Sequence, residues 1–459
     1  MKHESIKRLK VALEAFVRES CQIVSKLPLF YGGYVTAKLI EDEITGARWD
    51  ITPDMRASIP TLLYHFIHNA GPLASSDLVI EALRDDPELS AKLAIPVEES
   101  EWLISEKHLR GDIWNAVLGP YLEKCWLKHR SFSFDQQIFD EVFEETVADI
   151  EAPGVETEVH LSPIMGVRMA GGPVELAPGL RLRPIKAKDV ETWLSRSWLL
   201  AGEPLKTTDV YRLQCAVEAT YHRTREYFSV GNLLDKMKSS EEETETIHKV
   251  LGALRLLTNR RMHIAFTQKS GRGLLERTLE IILPPTPQPT ILPSQFVTVD
   301  QAAEERLIKT WKMLGDSSVA ADIDLPFRRW YGAADRLNDA DRLIDYWVGL
   351  ESLFSPDSTQ EVRFRVSLRI AAFLGESPDE WEAIYNEMRH SYDWRSKVVH
   401  GGSPREHKKL EKQGTLSASA RKTREYLRAS LLKLLDSDQP LSIKPGESEI
   451  KLLRRLGAS

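Results

Sequence analysis

Five prolines fall within ten residues in PPTPQPTILP, positions 284–293, and no other stretch restricts the fold as strongly. Proline fixes φ and carries no amide hydrogen, so this run is barred from helix interiors and central strands and should be extended and stiff. It predicts a linker over 285–299, with separate bodies before and after it. The 459 residues allow two to four domains at roughly 100–200 residues each. With 42% hydrophobic and 28% charged residues, the composition excludes a disordered or low-complexity chain.

Periodicity divides the remainder. In 6–24, Ile6, Leu9, Leu13, Phe16 and Val17 recur at the spacing of an amphipathic helix. Further helices are predicted at 59–70, 76–84, 98–128 and 135–150, giving a helical N-terminal region over 1–150. From Ala152, prolines and glycines alternate with short β-branched runs, which predict strands at 155–161, 164–170, 173–176, 180–184 and 210–221. Helices near 188–198 and 241–258 and a hairpin over 260–283 complete a β-rich α+β middle domain, 151–284. After the linker, helices at 300–314, 325–337, 339–354, 361–374, 378–399 and 419–435 predict an all-α domain over 300–440, followed by a tail, 441–459. The fold class is multidomain α+β.

Several function classes drop out. Cys21, Cys125 and Cys215 are far apart and lack CxxC or zinc spacing, so they read as buried or incidental thiols of a reducing compartment. The N-terminus is charged throughout and no run approaches the roughly 18 apolar residues of a membrane span, which predicts a cytoplasmic protein with no membrane partner. No P-loop, dinucleotide glycine motif or nucleophile elbow occurs. His65 and His68 lack an acidic or cysteine partner nearby, so no metal and no cofactor is expected. Aromatics including Trp193 and Tyr221 lie among arginines and could stack bases, although alternation over 211–221 also fits a buried strand.

The C-terminal helices hold the chemistry. Leu343, Trp347, Leu350 and Phe354 form one stripe with Glu351 on its edge, and Val362, Val366 and Phe373 form another with Arg369. An acid and a guanidinium on two apolar faces predict a Glu351–Arg369 ion pair, which would position helices without necessarily doing chemistry. Further on, Arg395 suits a phosphate and His400 exchanges protons near neutral pH. Five residues of helix turn them about 140° apart, so they meet only if the helix ends there, as Gly401-Gly402 suggests, or if a second chain completes the site. Between Asn386 and Lys433 stand twelve Lys or Arg against five Asp or Glu, a local basic excess in a chain of formal net charge -7. Such a patch suits a polyanion, though a solvated helix face would carry the same charges.

Three segments in order carry a resemblance: DRLIDYWVGLESLF (341–354), EVRFRVSLRIAAFL (361–374) and YDWRSKVVHG (392–401). Together, residues 325–435 resemble the Apea-like branch of the HEPN superfamily. Residues 159–185 resemble, less specifically, regions that precede this domain in similar proteins. The resemblance implies an all-α bundle that dimerises and cuts RNA without metal, leaving 2′,3′-cyclic phosphate ends. Arg395 and His400 would be catalytic, with Tyr392, Ser396, Lys397, Glu351 and Arg369 in support. Serine at 396 departs from the Asn, Asp or His of many active members. Arg405, Lys408, Lys409, Arg421, Lys422 and Arg424 would bind RNA, whether tRNA or mRNA. The implied setting is prokaryotic antiviral defence or toxin-type growth arrest, with an antitoxin or a phage-derived trigger as partner. A homodimer through the 378–400 helices is expected, with Trp394 and Val398 as its exposed apolar contacts. The alternative is a non-catalytic HEPN module that binds RNA or protein.

Overall fold

The structure, a computed structural model, describes residues 3–24, 33–40, 48–58, 73–86, 89, 117–129, 133–151, 155–200, 210, 212–224, 230–272, 280–282, 291, 293–315, 317–355, 362–402 and 404–436. It is mixed α+β, with a β-sheet middle region and helices on either side in sequence. The chain divides into two compact units: Met1–Ile247 with Met262–Val299, and His248–Arg261 with Asp300–Ser459. The predicted helix over 59–70, residues 98–116 of the helix predicted over 98–128, His65 and His68, and the 441–459 tail lie outside the described residues.

The first unit opens with α1 (His3–Val24), whose apolar stripe of Leu9, Leu13 and Phe16 is fully buried. The next segments, β1 (Gly33–Ile40) and β2 (Arg48–Ser58), form an antiparallel hairpin where the sequence predicts no strand. Its reason is non-local: Trp49 donates its indole N–H to the Leu213 carbonyl at 2.8 Å, and Glu191 accepts from the Ala37 amide at 3.0 Å. Helices α2 (Ala74–Arg84), α3 (Gly119–His129) and α4 (Gln136–Glu151) share a core with α1 around Val79, Tyr121, Phe139 and Val142.

The middle strands are β3 (Val155–Met165), β4 (Val167–Met169), β5 (Val174–Ala177) and β6 (Leu180–Pro184), then α5 (Ala187–Leu200), β7 (Cys215–Thr224) and α6 (Val230–Thr258). Next come β8 (His263–Ile264), β9 (Thr267–Arg272), β10 (Glu280–Ile282) and β11 (Val297–Val299). A seven-stranded antiparallel sheet runs β10-β9-β3-β7-β6-β5, with β8 also on β3. Trp193, a candidate for base stacking, is instead buried against Phe266. The predicted linker is structured at its C-terminal end: Ile291 is buried in the core, and β11 pairs in parallel with β4. All three cysteines are buried, and burial pushes the Cys125 thiol up to about 12.

The second unit is helical. It takes the end of α6, which the sequence assigned to the middle domain, because Arg255 is buried there and donates to Asp335 at 2.7 Å. Helices α7 (Gln301–Gly315), α8 (Ser317–Ala333), α9 (Asp339–Phe354), α10 (Val362–Leu374), α11 (Pro378–His400), α12 (Pro404–Glu411) and α13 (Leu416–Leu435) follow. Helix α8 starts eight residues before the predicted 325, with Pro326 in its interior. Helix α9 lies between α8 and α13, and Gly349 permits it: a Cβ there would stand 2.8 Å from a Leu427 methyl and 3.4 Å from the Pro326 backbone. Gly349→Ala should therefore cost about 1–3 kcal/mol by overpacking. Gly332→Ala, where a Cβ meets nothing within 4 Å, should cost nothing by this route; thermal unfolding of the two variants checks the contrast.

Candidate functional site

Helix α11 organises this end of the unit. Ser377 caps its first turn by accepting from the Glu380 amide at 3.3 Å, and Pro378 occupies the first helical position, where its missing N–H costs nothing. The helix stays regular through His400 and stops at Gly401, whose φ of 77° a glycine adopts without strain. One row of α11 is tied to the core: Trp347 of α9 donates to Ser391 Oγ at 2.9 Å, and Ser391 and Thr423 hydroxyls lie 2.5 Å apart.

Arg395 follows Ser391 by four residues, about 40° around the same helix. Its Nη2 is 3.3 Å from Glu351 Oε1 and 3.5 Å from Oε2, with the guanidinium 5.5 Å from the Tyr392 ring centre. The Tyr392 ring in turn meets Trp347 edge-on at 5.1 Å. These N–O separations exceed the roughly 2.7–2.9 Å of a tight charge-assisted pair. Arg395 Nε and Glu351 Oε1 are buried and make no hydrogen bond among the described residues. Burial pushes the Glu351 carboxyl above its ordinary value, against the opposing pull of Arg395.

The expected Glu351–Arg369 pair is therefore corrected. Glu351 faces Arg395, while Arg369, buried on α10, donates to the Phe354 carbonyl at the end of α9. Both arginines lie within a pattern's reach of Glu351, and tertiary packing chooses between them. His400 is exposed and has no hydrogen-bond partner among the described residues. Because the helix does not end before it, the roughly 140° offset from Arg395 stands. Ser396 and Lys397 are half-buried, Lys397 2.5 Å from Glu406. Asp393 adds an ion pair that the sequence did not flag, 2.6 Å from Arg363 of α10.

The basic set separates by role. Arg405, Lys408 and Lys409 are exposed on α12, and Arg421 is exposed on α13. Lys422 reaches Glu387 at 3.3 Å, and Arg424 lies over the Trp330 ring at 5.3 Å. Trp394, expected at an exposed dimer contact, is instead 4% exposed and donates to the Gly414 carbonyl at 3.0 Å, because the segment after α11 folds back over it. Val398 is half-buried and Val399 exposed.

Among the described residues, no three His, Cys, Asp or Glu side chains are grouped to hold a metal ion, and no helix is long and apolar enough to cross a membrane. No protein-family model matches the chain, and no curated protein or solved structure does.

The raised Glu351 carboxyl fixes a pH sign. Its contribution to stability is full below the ordinary glutamate range, about 4.3, and is lost as pH rises through its higher folded value. Glu351→Gln removes that loss, so its thermal midpoint relative to the parent should rise as pH climbs above that range. The net upward shift already includes the opposing pull of Arg395, so what remains of replacing the protonated carboxyl by an amide is a pH-independent offset. Parallel pH profiles for parent and variant would show that burial does not disfavour the carboxylate.

Proposed function

We propose that the second unit is a HEPN-type bundle and that the chain is a metal-independent RNA endonuclease. Its first unit then acts as sensor or restraint, in prokaryotic antiviral defence or toxin-type growth arrest. The observation that carries this reading is the C-terminal end of α11, where a loosely held arginine and an exposed histidine lie beside a basic segment. His400 takes the proton of the ribose 2′-hydroxyl or delivers one to the leaving 5′-oxygen. Arg395 donates to the phosphoryl oxygens and stabilises the charge that develops on them. The 2′-oxygen attacks phosphorus and the P–O5′ bond breaks, so the products are a 2′,3′-cyclic phosphate and a 5′-hydroxyl.

Since Arg395 and His400 of one α11 diverge by about 140°, the catalytic reading requires a homodimer in which both chains line one cleft. Its RNA substrate is a tRNA or mRNA, and an antitoxin or phage-derived trigger controls it in the cytoplasm. The same divergence, with Arg395 engaged by Glu351, favours a second reading: a non-catalytic module that binds RNA or a protein partner.

Purified protein incubated with total RNA and EDTA should release fragments with 2′,3′-cyclic phosphate ends. Arg395→Ala and His400→Ala should each lower the rate by at least about 100-fold, the usual scale of general acid–base catalysis, without changing the thermal midpoint by an amount that indicates unfolding. Full activity in either variant removes the role assigned to that residue. Binding of RNA without cleavage by the parent protein favours the second reading.

A further inference from the structure

We propose that α12 and the turn after it form a strap along which the phosphate backbone of single-stranded RNA lies, and that Lys422, Arg424, Arg428 and Lys433 of α13 serve the fold instead. This rests on the RNA reading above and assigns its binding surface.

Arg405, Lys408 and Lys409, at about 100° per residue, occupy an arc of about 100° on one face of α12, and Lys412 is the first residue of the turn that follows. All four are exposed, and none has an ion-pair or hydrogen-bond partner among the described residues. The opposite face is docked: the His407 ring lies 5.8 Å from that of Trp394, and Leu410 is half-buried. Past the helix, the Gly414 carbonyl accepts from Trp394 at 3.0 Å and from His390 at 3.2 Å. Of the two acids on α12, Glu406 is held by Lys397 at 2.5 Å, and Glu411 is exposed at the edge of the basic face. The strap is thus fixed to α11 through His390, Trp394 and Lys397, with four positive charges left unpaired among the described residues.

The cations of α13 are mostly spent. Arg428 donates to the carbonyls of Leu256 and Leu257 at 2.7 and 3.2 Å, closing the end of α6, and Lys433 donates to the Phe373 carbonyl at 2.7 Å. Lys422 and Arg424 are engaged by Glu387 and Trp330.

The strap face carries no aromatic or aliphatic residue. Protein interfaces depend on such anchors and are depleted in lysine, so an acidic protein fits it less well than a phosphate chain does. From Arg405 to Lys412 the face spans about 10 Å, enough for a few phosphates of one strand. Duplex RNA readers instead reach across about 16 base pairs.

The test uses the full chain carrying His400→Ala, a short fluorescein-labelled single-stranded RNA, and affinities between about 50 and 200 mM salt. Each phosphate contact on a single strand contributes about 0.7 to the slope of log affinity against log salt. Replacing Arg405, Lys408, Lys409 and Lys412 together by Gln should flatten that slope by about 2.8 and weaken low-salt binding at least tenfold. Lys408→Arg with Lys409→Arg and Lys412→Arg should keep both, and each single Lys→Gln should flatten the slope by about 0.7, which guards against a misfolded multiple variant. Unchanged affinity and slope in the Gln variants would overturn the strap while leaving the RNA reading in place. A parent chain that binds poly-glutamate but not RNA would assign the surface to acidic proteins and overturn both; one that binds neither would overturn both and assign the surface to no polyanion.

Discussion

Helix α11 runs unbroken from Pro378 to His400, and its period dictates where each polar side chain of this end of the molecule can go. Ser391 is drawn inward to Trp347 and Thr423, Trp394 lies under the Gly414 segment, and Arg395 lies against Glu351. His400, one residue before the glycine stop, is left in solvent. Melting the last turn would let Arg395 and His400 approach each other. The regular helix keeps them apart, so the proposed catalytic reading needs a second α11.

Two kinds of contact hold this end of α11, and they differ in strength. The hydroxyl chain between Trp347, Ser391 and Thr423 satisfies buried donors, so breaking it would leave orphans at a cost of about 1–3 kcal/mol each. The Arg395–Glu351 pair differs. It is long, part-buried and includes a carboxyl that burial disfavours as an anion, so its Coulomb gain is largely offset by desolvation. A guanidinium held in this way is positioned at little cost to its availability. The rigid hydroxyl chain fixes the helix, and the weak ion pair aims the arginine.

What the sequence revealed follows from how local each signal is. The periods of α1, α4, α9 and α11 and most middle strands are legible to within a few residues, since one face of each is buried against a continuous core. The β1–β2 hairpin is not: Pro53 lies within β2, where proline argues against a strand, and only the alternation of Trp49 and Ile51 hints at it. Ile291 and Val299 pull the end of the proline-rich segment into the first unit through contacts with residues more than a hundred positions away. At the site, residue types were legible and partners were not. Glu351 could face Arg369 or Arg395 on helical spacing alone, and Trp394 looked exposed because the strap that covers it begins ten residues later.

Under the proposed function, one catalytic site takes Arg395 from one chain and His400 from its partner. Mixing the separately inactive Arg395→Ala and His400→Ala proteins tests it directly, because a mixed dimer then contains one site with both wild-type residues. The mixture should regain RNA cleavage that neither variant shows alone. A mixture that exchanges subunits and stays as inactive as its components would contradict it.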